Sequence, residues 1–229
     1  QLYTLTAGVT GAILIMLLYN LGIFISVKDK RYLYFLLYGC ANYMTLFSYG
    51  GMAFKMFWPN SPIWHASSIQ TFVALQGVTL LLFTRSYIDL PRHAKTFKVS
   101  QVIESTCWIS ILTIPFVPQS VSLQVASALS VLAHAISLFI AFHSCLLRVR
   151  HAYFFMAAFG CMLTGMVVNS LVVLSPQLTE SVIEYLFQYG FAFTAVSFAL
   201  QLAILSLGLG DRFNQLQKTN EAMTLANLE

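Results

Sequence analysis

Residues 17–40 read LLYNLGIFISVKDKRYLYFLLYGC: an apolar run, four charged residues at 28–31, and a second apolar run. Each run continues outward until it reaches the length of about 20 apolar residues that a helix needs to cross a hydrocarbon core of about 30 Å. Four consecutive charged residues cannot lie within that core without a large cost in free energy. The stretch therefore predicts two membrane-spanning helices that are joined by a short charged turn.

The composition of the whole chain agrees with this interpretation. Of its 229 residues, 58% are hydrophobic and 9% are charged, whereas a soluble domain has about 45–50% apolar and about 25% charged residues. So few charged side chains cannot solvate the surface of a water-soluble globule. The composition excludes a soluble enzyme, a disordered tail and a nucleic-acid-binding domain, and it makes membrane lipids the expected surroundings.

Hydropathy divides residues 1–209 into seven apolar stretches of spanning length. The predicted spans lie near residues 3–27, 32–54, 66–88, 99–117, 122–147, 152–174 and 182–207. Pro115 and Pro118 leave it open whether the chain bends or ends a helix between the fourth and fifth spans. The predicted fold is an all-α seven-transmembrane helix bundle. Residues 210–229 are predicted to be the first part of a cytoplasmic connector helix.

The positions of lysine and arginine predict the orientation. Cytoplasmic loops collect basic residues, and with the N-terminus outside only Lys55 would lie in an outer loop. The other eleven lie in segments that would face the cytoplasm: Lys28, Lys30, Arg31, Arg85, Arg92, Lys95, Lys98, Arg148, Arg150, Arg212 and Lys218. An odd number of spans therefore follows, with the C-terminus inside the cell.

Residues 210–229 are polar but keep a helical repeat. Gaps of four and three residues alternate along an a/d seam that begins at Leu209, the spacing with which two helices pack side by side. The seam consists of Leu209, Phe213, Leu216, Asn220, Met223 and Asn227. It predicts a coiled coil and a homodimer; the alternative is a solvated helix end without a partner.

Gly208 and Gly210 stand between the last apolar span and this polar segment. Glycine costs a helix about 1 kcal/mol relative to alanine. The pair predicts a flexible joint, and a frayed helix end is the alternative. With the seam residues Phe213, Leu216, Asn220 and Met223, these glycines form the predicted signal relay.

Polar side chains inside the bilayer are the candidates for ligand binding, because each must find a partner away from lipid. They are Asn42, Gln76, His134, Asn169 and Gln188. The imidazole of His134 changes charge near neutral pH if water reaches it. The alternatives are a neutral histidine that is hydrogen-bonded to another helix, and amides that hold helices together.

No catalytic or cofactor motif is present in the sequence. The cysteines, Cys40, Cys107, Cys145 and Cys161, lie in separate apolar spans without metal-ligand spacing. No phosphate-binding glycine loop or nucleophile elbow occurs. Every lysine lies outside the predicted spans, which excludes a retinal Schiff base within the membrane. We expect no enzyme activity in this segment, and no metal or cofactor.

Three motifs resemble one family. They are YNLGIFISVKDKRYLYFLLY at residues 19–38, GGMAFKMFWPNSP at 50–62 and LLFTRSYIDLPRH at 81–93. They are similar to the bacterial seven-transmembrane receptors with diverse intracellular signalling modules, in which a Tyr-Asn helix, a basic-acidic turn, an aromatic-Trp-Pro loop and a Phe-x-Arg exit follow one another. The later spans resemble that family mainly in topology.

This resemblance implies a receptor in the bacterial inner membrane. It implies a β-rich extracytoplasmic domain before Gln1 that senses a small, carbohydrate-like ligand, and an output domain after Glu229, usually a diguanylate cyclase or a histidine kinase. Both chain ends are expected to continue in a longer protein, since the chain starts without methionine and stops within a helical pattern. The alternative function is a small-molecule or proton transporter with a polar site around His134.

Overall fold

The computed structural model describes residues 2–91, 93–173 and 180–226, and these segments contain helices and no strand. The α-helices are α1 (Leu2–Val27), α2 (Lys30–Tyr49), α3 (Met52–Phe57), α4 (Pro62–Tyr87), α5 (Lys95–Thr113), α6 (Gln119–Leu146), α7 (Arg150–Val173) and α8 (Glu180–Ala226). A 3-10 turn, Ile114–Phe116, follows α5. The all-α prediction is confirmed.

Five segments of the described chain are long and apolar enough to cross a membrane. They are Gly8–Val27, Pro62–Tyr87, Lys95–Phe116, Gln119–Leu146 and Ala192–Gln215. The lengths of α2 and α7 also suit the second and sixth predicted spans, but neither helix is among the five. The chain is therefore a helical membrane protein, and seven spans remain a prediction from the sequence.

The charged turn at residues 28–31 separates α1 from α2 as predicted. Asp29 caps α2, since its side chain accepts a hydrogen bond of 2.9 Å from the backbone N–H of Arg31. Lys28 has a φ of 55°, a left-handed conformation that side chains with a Cβ adopt at a cost. Two residues, 28 and 29, thus separate the two long helices.

The second predicted span, 32–54, is too long. Helix α2 ends at Tyr49, and the short helix α3 starts at Met52. Between them Gly51 has a φ of 70°, which glycine adopts without steric cost. An apolar sequence on both sides of the Gly50-Gly51 pair concealed this turn, because hydropathy does not register backbone conformation.

The two prolines end a helix. Helix α5 stops at Thr113, the 3-10 turn contains Pro115, and α6 starts at Gln119 directly after Pro118. Proline lacks the backbone N–H that would continue the helical hydrogen bonds. The fourth and fifth predicted spans are therefore separate helices.

Residues 17–144 form one compact unit. Its core contains stacked or tilted aromatic rings from α2 and α4, with Tyr38 and Phe83 6.4 Å apart between centroids and Phe83 and Tyr87 5.2 Å apart. A Cβ built on Gly77 of α4 would lie 3.4 Å from Cys107 Sγ and 3.6 Å from the Ala133 Cβ. Glycine thus lets α4 approach α5 and α6 closely, as small residues do in membrane bundles.

Residues 1–16 and 145–229 form the second compact unit, in which α7 packs along α8. The rings of Phe155 and Phe159 stack with centroids 4.4 Å apart. A stripe of buried side chains runs down α8 at spacings of three and four residues, the period of one helix face. It consists of Ala195, Phe198, Leu202, Leu205 and Leu209.

Candidate functional site

Two of the predicted polar candidates meet inside the unit of residues 17–144. Gln76 Nε2 on α4 donates a hydrogen bond of 2.7 Å to Asn42 Oδ1 on α2. Asn42 Nδ2 in turn donates to the backbone oxygen of Tyr38, 3.0 Å away. Both side chains are buried. The pair links two helices through an amide hydrogen bond, which in a membrane contributes about 0.6 kcal/mol on average.

His134 is buried in α6, and only 5% of its surface is exposed. Its Nδ1 donates a hydrogen bond of 2.7 Å to the backbone oxygen of Ser130. This partner lies one turn earlier in the same helix, so this hydrogen bond does not itself link α6 to another helix. The link between α4 and α6 is a different one, in which the Thr84 hydroxyl donates to Ser137 Oγ over 3.0 Å.

Several candidates lie outside the described side chains. Asn169 and Gln188 belong to helices whose backbone is described, but their side chains are not. The same holds for the relay residues Leu216 and Asn220, and Asn227 lies beyond the described part of α8. These five residues remain sequence-based candidates.

The predicted signal relay lies on one unbroken helix. Helix α8 runs from Glu180 to Ala226, and Gly208 and Gly210 are helical. Phe213 is half-buried, and 54% of the Met223 surface is exposed. The structure thus shows no interruption of the helix at the predicted joint.

Leu209 is the first residue of the predicted seam. Only 2% of its surface is exposed, and it continues the stripe of buried side chains along α8. Sequence periodicity placed Leu209 correctly on the apolar face of the helix but could not distinguish a partner within the chain from one in another copy.

Arg31 forms a clamp that sequence reasoning missed. It pairs with Asp29 (2.9 Å) and Asp89 (2.8 Å), and its Nε donates to the backbone oxygen of Ser86 over 3.1 Å. Burial by itself would lower the pKa of Arg31, but the hydrogen bonds and charges of Asp89 and Asp29 raise it above its usual value. The turn before α2 is thereby tied to the end of α4. Separation by more than fifty residues hid this contact.

Another ion pair joins Arg85 of α4 to Glu104 of α5. The guanidinium carbon of Arg85 also lies 5.1 Å from the centroid of the Phe97 ring, a cation–π contact. Glu104 lies within a predicted span, and an acidic residue there needs a positive partner. The sequence therefore indicated that Glu104 needs a positive partner, but it did not specify which arginine would supply the charge.

A third contact lies in the unit that contains α7 and α8. Arg150, the first residue of α7, pairs with Asp211 of α8 at 2.8 Å. Asp211 also accepts a hydrogen bond of 2.9 Å from Gln215, one turn further along α8. The next residue, Arg212, has only 6% of its surface exposed. Helix α8 is thus held by polar contacts at the point where its sequence changes from apolar to polar.

A sequence model of the family described as 7TM diverse intracellular signalling matches residues 2–212. The chain belongs to this family. No protein among those with curated descriptions matches the chain, and no solved structure matches it. Membership of the 7TM diverse intracellular signalling family indicates a transmembrane domain of a signalling receptor, a kind of domain without known catalytic activity.

The aromatic-Trp-Pro loop that resembles this family forms a cluster of rings. Trp58 lies 5.8 Å from Phe57, 6.1 Å from Trp64 and 6.5 Å from Phe72 between centroids. Phe57 and Trp64 are partly exposed, as rings at a lipid–water boundary are expected to be. Within residues 2–91, 93–173 and 180–226, no group of three or more metal-ligating side chains is found.

Proposed function

We propose that this chain is the transmembrane core of a receptor that passes an extracytoplasmic sensing event to a cytoplasmic output domain. The sensing domain precedes residue 1, and a diguanylate cyclase or a histidine kinase follows residue 229. A small-molecule ligand binds outside and changes how the helices pack. Such coupling requires two packings that differ in their affinity for the ligand.

The continuity of α8 is the observation that carries this proposal. One helix of 47 residues contains both an apolar span and a polar segment. A helix shifts or rotates as a rigid element, so that a movement at its buried face is transferred to its polar end. A loop at Gly208 and Gly210 would have absorbed part of that movement.

The proposed topology places the N-terminus outside and the C-terminus in the cytoplasm of a bacterial inner membrane, with seven spans. The distribution of basic residues supports it, because only Lys55 would face outward. Under this topology all of the ion pairs formed by Arg31, Arg85 and Arg150 belong to the cytoplasmic half of the protein. The domain boundary then lies near residues 209 and 210.

We further propose that the polar end of α8 pairs with the same segment of a second copy. The exposure of Met223 leaves that position accessible to a partner, and asparagine at a seam position favours a defined register and a dimer. The proposed contact starts at Phe213, since Leu209 is buried within the chain.

The test replaces two seam residues with charged ones in the full-length receptor. Leu216→Glu with Met223→Glu is expected to abolish ligand-dependent output, because two carboxylates on each helix would face each other in the dimer. Membrane insertion should be unchanged, which membrane fractionation measures. Output is measured as the activity of the downstream domain.

The matched control is Asn214→Glu with Ala222→Glu, which adds the same charge at the outward b and c positions of the same repeat. We expect this variant to signal normally. If the seam variant retains its ligand response, or if both variants lose it equally, the proposed connector role of α8 is wrong.

A further inference from the structure

Arginine and lysine have different surroundings in this structure. Every ion pair found in the described part of the chain uses an arginine, and none uses a lysine. The pairs join Arg31 to Asp29 and Asp89, Arg85 to Glu104, and Arg150 to Asp211. Arginine forms several directed hydrogen bonds at once, whereas lysine is a compact and strongly hydrated point charge. The acidic residues in these pairs are therefore neutralised by arginine, and the lysine charges are left to act outward.

Four lysines of the unit formed by residues 17–144 are exposed at one end of it. Lys28 and Lys30 flank the turn between α1 and α2, and Lys95 and Lys98 lie in the first turn of α5. The contacts of Arg31 with Ser86 and Asp89 bring that turn to the end of α4, and Asp89 lies six residues before Lys95. We call these four side chains, with the first turn of α5, the lysine surface.

The positive charges of Lys95 and Lys98 lie at an unfavourable position, the N-terminus of α5. A helix N-terminus carries a partial positive charge and unpaired N–H groups. Ala94 precedes α5 and provides no capping side chain, and no acidic residue lies in the first turn. Two lysines at such a terminus repel the helix dipole, and a bound anion would convert this repulsion into attraction.

Arg85 provides an independent indication of a polar ligand. Its side chain is 9% exposed, and it lies over the ring of Phe97 in the first turn of α5. Nη2 pairs with Glu104, while Nη1 is buried and has no hydrogen-bond partner among the described residues. Buried guanidinium nitrogens are costly to leave unpaired. A ligand oxygen that entered between α4 and α5 near Phe97 could accept a hydrogen bond from Arg85 Nη1 and would remove this cost.

We propose that the lysine surface binds the phosphate group of an anionic phospholipid in the inner leaflet. The surface lies where α1 and α4 end and where α2 and α5 begin, so that it is level with the headgroups if these helices span the membrane. Lysine near an anionic leaflet attracts headgroup phosphates, and its alkyl stem can extend along apolar surface toward them. This inference goes beyond the signalling role, and it depends on the proposed topology only for the choice of leaflet.

The experiment measures how many phosphatidylglycerol molecules stay bound to the purified chain in lipid nanodiscs, with uncharged phosphatidylcholine as the reference lipid. Lys95→Gln with Lys98→Gln is expected to reduce the preference for phosphatidylglycerol by about fivefold per lysine. The matched control is Lys55→Gln with Lys218→Gln, two exposed lysines elsewhere in the chain. It should retain the preference. Thermal unfolding verifies that each variant is folded.

A charge-preserving variant, Lys95→Arg with Lys98→Arg, should retain most of the preference. Equal losses in the test and control variants would overturn the proposal, because they would indicate a diffuse charge effect. Displacement of phosphatidylglycerol by millimolar inorganic phosphate would also overturn it, since the surface would then be a site for a soluble anion. Both leaflets of a nanodisc contain the same lipid, so an error in the topology would not change these outcomes.

Discussion

At the scale of single residues, polar side chains inside the apolar segments find partners within the protein. Asn42 and Gln76 bond to each other, and His134 bonds to the turn before it in α6. A polar group in hydrocarbon that lacks a hydrogen bond costs several kcal/mol. Asn42, Gln76 and His134, three of the polar candidates that the sequence singled out, thus have partners in the structure. The sequence could not assign these partners, because a hydropathy profile contains no information about the faces on which helices meet.

The amide pair leads to a prediction about stability. Asn42→Leu and Gln76→Leu should each lower the free energy of unfolding, because each leaves one amide group unpaired. The double variant should lose less than the sum of the two. The difference should be about 0.6 kcal/mol and at most about 1.7 kcal/mol, measured by unfolding in sodium dodecyl sulfate.

Thr45→Val is the control for this cycle. Its hydroxyl donates to the backbone oxygen of Ala41 in its own helix, so that its removal breaks no contact between α2 and α4. Additive losses for Asn42 and Gln76 would mean that their hydrogen bond contributes nothing to the pairing of the helices. The two residues would then be available for ligand binding instead.

At the scale of elements, the sequence identified the long helices well and their ends less well. Runs of apolar residues located α4, α6 and the apolar part of α8, because the thickness of the membrane fixes the length of such runs. The turn at Gly51 was missed, because it depends on backbone conformation within an apolar region. The continuity of α8 through Gly208 and Gly210 was not predicted, since the glycine pair indicated a joint between the last span and the connector helix.

We expect loss of the ion pair between Arg150 of α7 and Asp211 of α8 to change signalling clearly while it lowers the free energy of unfolding only slightly. Arg150→Gln and Asp211→Asn should each change the basal output of the full-length receptor in the same direction, because both release α8 where its polar segment begins. The exchange Arg150→Asp with Asp211→Arg should restore the original output. Each single change should lower the free energy of unfolding by about 0.2–1 kcal/mol, as for partly exposed ion pairs.

Arg148→Gln is the matched control, because Arg148 is an exposed arginine two residues before Arg150. It should leave basal output unchanged. If the exchanged pair fails to restore output while both single variants alter it, the charges act separately, and the proposed contact does not hold α8. The basal output and the free energy of unfolding are measured on the same membrane preparation.

At the scale of the whole molecule, the distribution of basic residues predicts its orientation. In a variant whose four native cysteines are replaced by serine, a membrane-impermeant maleimide added to intact cells should label Lys55→Cys and should not label Lys95→Cys. Both residues are exposed, so that burial does not explain a difference. Labelling should reverse in inside-out vesicles. Labelling of Lys95→Cys from outside would refute the topology and, with it, the proposed direction of signalling.

The sequence by itself determined the membrane environment, the helical class and the family. The first two follow from composition and from the length of apolar runs, and the family follows from the match of the sequence to its family model. Tertiary structure decided which charges are paired and which face outward. It also decided that Leu209 is buried within the chain and that the clamp around Arg31 joins residues far apart in sequence. Those outcomes depend on which helix faces meet, and packing among helices sets that only once the chain is folded.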